Sequence, residues 1–107
     1  MSGTAAVVLV TAPSMEVAER LVADVVEQRL ATCGSIVPGV RSIYRWQDAL
    51  ERADEVMIVF KTMAQAGERL TARVEQLHPY EVPEVLAVAI ATGSRPYMDW
   101  IASNTDV

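Results

Sequence analysis

Apolar residues in this chain gather into runs that alternate between strand and helix character. Ala5-Ala6-Val7-Val8-Leu9-Val10-Thr11 is apolar almost throughout. A run of strand length without polar alternation predicts a strand covered on both faces or lying on an interface. Pro13 and Ser14 close it, and Ser14 is a suitable N-cap. Val17, Leu21 and Val25, with Ala18, Val22 and Val26, then recur at helical spacing, while Glu16, Glu19, Arg20, Asp24 and Glu27 fall mostly elsewhere. This predicts an amphipathic helix running to about Leu30. A second strand begins near Cys33, and Glu55-Val56-Met57-Ile58-Val59-Phe60-Lys61-Thr62 reads as another. Ala66, Leu70, Val74 and Leu77 mark the apolar stripe of a second helix, and Val85 to Ile90 gives a fourth strand. After Gly93 and Ser94, Pro96 suits the first turn of a short final helix that carries Tyr97, Trp100 and Ile101.

The two halves echo each other, with Thr11 then Glu19-Arg20-Leu21 in one and Thr62 then Glu68-Arg69-Leu70 in the other. The order βαββαβ predicts an α+β, ferredoxin-like split-βαβ sheet with its helices on one face. No linker or low-complexity tract divides the chain, so residues 1–107 read as a single domain.

The middle of the chain does not fit inside so small a unit. Cys33 to Trp46, as one strand of fourteen residues at ~3.3 Å each, would reach ~46 Å. A domain of this size with a radius of gyration of ~13 Å is only about 34 Å across. The hairpin must therefore overhang or bend. Pro38-Gly39 is the expected bend or bulge, and Gln47-Asp48-Ala49 the expected turn. The overhang carries Ile43, Tyr44 and Trp46 away from the core, which suits anchoring to neighbouring subunits.

Composition sharpens this picture. Hydrophobic residues make up 51% of the chain and the mean hydropathy is +0.22, an excess that a second burial surface would absorb. Nine Lys and Arg against fourteen Asp and Glu leave a net charge of -5 and a pI near 4.7. The phosphate attraction that drives nucleic-acid binding is thus missing. No apolar run approaches the ~20 residues that span a bilayer, and Met1-Ser2-Gly3-Thr4 lacks the basic start of a signal peptide. A cytoplasmic protein is expected, and a single cysteine, Cys33, excludes an intrachain disulfide and fits a reducing compartment.

Val10-Thr11-Ala12-Pro13, the segment Cys33 to Trp46, Lys61-Thr62, His78-Pro79-Tyr80-Glu81-Val82-Pro83-Glu84 and the ending Tyr97-Met98-Asp99-Trp100-Ile101 together resemble the CutA family of divalent-cation tolerance proteins. The resemblance keeps the same order over nearly the whole length. It implies a ferredoxin-like subunit with a long central hairpin, assembled as a homotrimer similar to the nitrogen-regulatory PII proteins. It also implies a cytoplasmic role in tolerance of copper and other divalent metal ions. Some family members carry a cysteine where this chain has Val10 and a second histidine where it has Leu77, both candidate copper ligands. Here His78 is left alone at that position.

Candidate metal-facing residues are His78, Cys33, Glu81 and Glu84. Thiolate and imidazole together suit copper, while the two carboxylates near the histidine make a harder site for zinc or other divalent ions. Each residue also has a structural reading. Cys33 fits as a small buried hydrophobe at a strand start. His78 fits as a residue at the end of a helix, interacting with its last carbonyls. The two glutamates fit as solvated acids on a Pro-rich connection. Tyr44, Arg45 and Trp46 read either as a ligand-stacking set or as an interface anchor, and Lys61 as an anion contact or a snorkelling strand-end lysine. Three function classes follow. The first is a metal-binding tolerance protein. The second is a PII-like signalling module that takes a small anionic ligand or a partner protein in clefts between subunits, although no Gly-rich phosphate loop is present. The third, an enzyme, is disfavoured by a single histidine and by the lack of a Ser-His-Asp or Cys-His arrangement.

Overall fold

The computed structural model describes residues 3–107. Its elements are β1 (Ala5–Ala12), α1 (Met15–Glu27), β2 (Cys33–Trp46), β3 (Ala49–Met63), α2 (Gly67–Leu77), β4 (Val85–Ala89) and α3 (Arg95–Asn104), with a 3-10 turn at Ala64–Ala66 leading into α2. The four strands form one antiparallel sheet in the order β2-β3-β1-β4. β1 and β2, joined through α1, run parallel with β3 between them, which is the expected ferredoxin-like α+β arrangement.

Local chemistry sets the helix ends. Ser14 caps α1 by accepting the Val17 amide at 3.2 Å, and Ser94 caps α3 by accepting that of Tyr97 at 3.3 Å. α1 stops at Glu27, short of the expected Leu30. Arg29 adopts φ 59°, its amide reaches Val26 O and the Leu30 amide reaches Val25 O, each at 3.0 Å. This is a Schellman closure with arginine at the left-handed position. Leu30 is apolar because it packs into the core after the turn, where its carbonyl accepts the Thr62 hydroxyl at 2.7 Å.

The expected hairpin is present and longer than the strand runs foresaw, because β3 is a single fifteen-residue strand. Its register breaks between Val37 and Val40, where Gly39 has φ 81°. The turn is Gln47-Asp48, both with positive φ (49° and 64°), as a two-residue hairpin with right-handed strand twist requires. The molecule measures 47 × 25 × 22 Å, so the overhang predicted from strand length is real. Ile43, Tyr44, Trp46 and Leu50 lie exposed on it.

One face of the sheet carries the core. Val8 and Val10 of β1 and Ile58 and Phe60 of β3 pack with Leu21 and Val25 of α1 and Leu70 and Val74 of α2. Gly34 permits the close approach of β2, since a Cβ there would lie 3.0 Å from both Phe60 and Val22. Asp24 and Arg73 tie α1 to α2 through two charge-assisted bonds of 2.7 and 2.8 Å. Ile101 of α3 packs with Ala5 and Met63 at one end of the sheet. That contact is on the opposite face, which α3 covers at this end only. Leu9 faces Leu86 and Val7 faces Val88, and Val37, Leu86 and Val88 remain 47%, 55% and 53% exposed. The uninterrupted apolar run of β1 therefore has one face buried in the core and a second on which Val7 and Leu9 are only half-covered within the chain. No helix is long and apolar enough to cross a membrane among the described residues.

Candidate functional site

The connection from α2 to β4 is built around His78. Proline at 79 disfavours helical backbone at the residue before it, and His78 accordingly turns extended (φ -74°, ψ 139°) while its amide still closes the helix on Val74 O at 2.8 Å. The ring turns inward and is buried. The Tyr80 amide donates to Nδ1 at 3.1 Å. Nδ1 therefore accepts, and Nε2, 2.7 Å from the Thr11 carbonyl, carries the proton and donates.

That second bond has a topological cause. Ala5 O accepts from the Ile90 amide on the β4 side of β1, and alternation places the Thr11 carbonyl on the same side. β4 begins at Val85 opposite Val10, one residue short of covering it. His78 supplies the donor that the strand does not.

Tyr80 continues the network. Its ring tilts against the histidine at a centroid distance of 4.7 Å, and its hydroxyl donates to Glu55 Oε2 at 2.6 Å. Burial, reinforced by the Glu55 carboxylate, pushes the phenol well above its ordinary range, so it stays a donor. Glu55 lies on β3 opposite Val40, where the bulge ends, and is only 8% exposed. Tyr80 and Glu55 line a cleft of about 620 Å³ between the hairpin, represented by Tyr44 and Trp46, and the connection, represented by Glu81 and Glu84.

The cleft thus gathers Ile43, Tyr44, Trp46, Glu81 and Glu84 from the sequence-derived set. His78 sits behind it, joined through Thr11 and Tyr80, with both ring nitrogens already engaged. Its imidazole serves the Thr11 carbonyl of β1 rather than the last carbonyls of α2. Cys33 lies elsewhere. It pairs with Lys61, which pairs with Val7, and Val7 is four residues, ~13 Å, along β1 from Thr11. Its Sγ lies 3.7 Å from the Tyr97 hydroxyl, beside a second groove lined also by Arg29 and Trp100. The thiol contact, with some burial, raises the Tyr97 phenol. Lys61 donates to Ser35 Oγ at 2.7 Å and to Val59 O at 3.2 Å, along the face of the sheet opposite α1 and α2. Among the described residues no three His, Cys, Asp or Glu side chains come together as a metal-holding group.

Sequence reasoning missed Glu55 and Tyr80 as site residues. One signal was available, an acid opening an otherwise apolar strand run, Glu55-Val56-Met57-Ile58.

Residues 6–104 match the family described as CutA1 divalent ion tolerance protein. The chain belongs to that family. It is 50% identical over 99 residues to a divalent-cation tolerance protein CutA of Thermus thermophilus, covering 92% of this chain and 96% of that one. The mouse protein CutA is 38% identical over 104 residues, 97% of this chain but 59% of the mouse protein. Among solved structures, a divalent cation tolerance protein of Thermus thermophilus superposes with a TM-score of 0.93 at 48% identity, covering 95% of this chain and 99% of that one. The fold and family inferred from the residue motifs are those observed.

Proposed function

We propose that the protein is a cytoplasmic, non-enzymatic divalent-metal tolerance protein that binds copper or a related ion as a homotrimer. The observation that carries this reading is family membership over residues 6–104. The partly exposed apolar sheet face and the hairpin support assembly, since Leu86 and Val88 on the sheet and Ile43 and Leu50 on the hairpin are each more than half exposed within one chain. Metal would be held by His78 together with Glu81 or Glu84, and completed across a subunit boundary. Ligation at His78 requires Nδ1 or Nε2 to give up a present hydrogen bond, at a cost of about 1–3 kcal/mol. That weakens binding by about 5- to 150-fold relative to a free imidazole.

The test is a calorimetric titration of the assembled protein with copper(II) and zinc(II), beside Cys33→Ser and the double variant Glu81→Gln, Glu84→Gln. Saturable binding at a fixed ratio per subunit, weakened in the double variant and unchanged in Cys33→Ser, is the expected result. Absence of saturable binding by either ion would sink the metal reading.

A second reading is favoured by the cleft of about 620 Å³ under the hairpin, which is the size of a small-ligand site. On that reading the protein is a PII-like module whose clefts take a ligand or partner, and metal effects are indirect.

A further inference from the structure

We propose that the hairpin cleft is a binding site for an organic cation, an ammonium or guanidinium group held by the Glu55 carboxylate against the Tyr44 and Trp46 rings. This rests on the cleft-binding reading and reverses the charge expected of its ligand.

Glu55 carries the argument. It is 8% exposed, and a buried carboxylate is ordinarily matched by a cation or by several donors. Among the described residues Glu55 has neither. Its Oε2 takes the Tyr80 hydroxyl at 2.6 Å, and no lysine or arginine pairs with it. Among the described residues every fully buried side-chain nitrogen and oxygen has a partner. Oε1 has none, so it is not fully buried, and the cleft of about 620 Å³ is the space that Glu55 lines. The result is a largely buried carboxylate, braced on one oxygen and unpaired on the other, at the wall of a half-open cleft.

The rest of the lining agrees. Glu81 and Glu84 add two acids, and among the described residues no lysine or arginine lines the cleft, so every charged side chain of the lining repels an anion. Three carboxylates that do not converge into a metal-holding group suit a larger cation with spread charge better than a bare divalent ion. Tyr44 and Trp46 supply aromatic surface of the kind that attracts such cations. Tyr80 cannot compete for the charge, because its proton is held by burial and by Glu55 itself.

The experiment is a calorimetric titration of the assembled protein with agmatine, which carries both cationic groups, and with succinate as the anionic control. Wild type is compared with Glu55→Gln, Tyr44→Ala and Cys33→Ser. Saturable agmatine binding is expected, weakened about tenfold or more in Glu55→Gln and more modestly in Tyr44→Ala, and unchanged in Cys33→Ser. Glutamine keeps an oxygen for the Tyr80 hydroxyl, so this variant is expected to fold. If it does not, the exposed pair Glu81→Gln, Glu84→Gln replaces it, with a smaller, salt-sensitive loss expected. The proposal fails if agmatine does not bind, if binding survives the loss of the carboxylates, or if succinate binds equally. It also fails if Glu55→Gln alters the oligomeric state while agmatine never binds, for then a neighbouring copy's arginine fills the cleft. Copper that displaces agmatine and needs Glu55 equally would make this the metal site and overturn the organic-cation assignment. Agmatine binding without copper binding would sustain the inference and sink the metal reading alone.

Discussion

Replacing His78 tests the geometry most directly, because both of its ring nitrogens are committed within the chain. His78→Ala leaves the Thr11 carbonyl without the Nε2 donor at 2.7 Å and the Tyr80 amide without the Nδ1 acceptor at 3.1 Å. Thr11 is 6% exposed and lies beyond the last paired residue of β4, so no strand can take over its carbonyl. A buried group left unsatisfied costs about 1–3 kcal/mol. The Thr11 carbonyl bears most of this and the half-buried Tyr80 amide less, and water entering the vacated space recovers part of it. The expected destabilisation is about 1–3 kcal/mol, read by urea unfolding at fixed protein concentration so that assembly does not confound the comparison. Hydrogen exchange supplies a local readout, with protection of the Tyr80 amide falling in the variant. A His78→Ala protein within about 0.5 kcal/mol of wild type, with Tyr80 exchange unchanged, would refute the assignment of both bonds. A metal titration of this variant alone would mix site loss with loosening of the connection, which is why the acids, not the histidine, are the cleaner probes of metal binding.

Two further outcomes are expected. Asp24→Asn should lower the urea midpoint at pH 7. The Arg73 guanidinium holds the Asp24 carboxyl below its ordinary value of 3.8, so the stabilisation is complete above that value and is lost as pH falls through the depressed one; the gap between the proteins should therefore close in acid, and a gap that persists at low pH would show that the ion pair is not its source. Trp46→Asp places a charge on a 39%-exposed hairpin side chain; if Trp46 anchors the proposed assembly, smaller and poorly folded species should form, and light scattering that finds the wild-type mass would remove Trp46 from the interface.

What was legible in the sequence and what was not divides by the range of the interactions involved. The hairpin could be read from length alone, since fourteen residues in extended conformation exceed the width of so small a domain, and the bulge and turn announce themselves through Pro38-Gly39 and Gln47-Asp48. The end of α1 could not, because its closure puts arginine, not glycine or asparagine, at the left-handed position. Glu55 and Tyr80 are 25 residues apart, and only the course of the chain from β3 through α2 brings them to 2.6 Å.

His78 shows why residue type misleads where register decides. As the single histidine beside two acids, it is the natural choice for a metal ligand. Its environment is set 67 residues away, by a carbonyl on β1 that β4 starts one residue too late to cover. The imidazole fills that gap, so a metal at His78 must compete with the sheet for the ring. The carboxylates face no such competition. Glu81 and Glu84 are exposed, and Glu55 offers an oxygen that the fold leaves unused. Any cation entering from solvent, metal or organic, therefore meets the acids first and reaches the histidine only by displacing a bond that holds the connection in place.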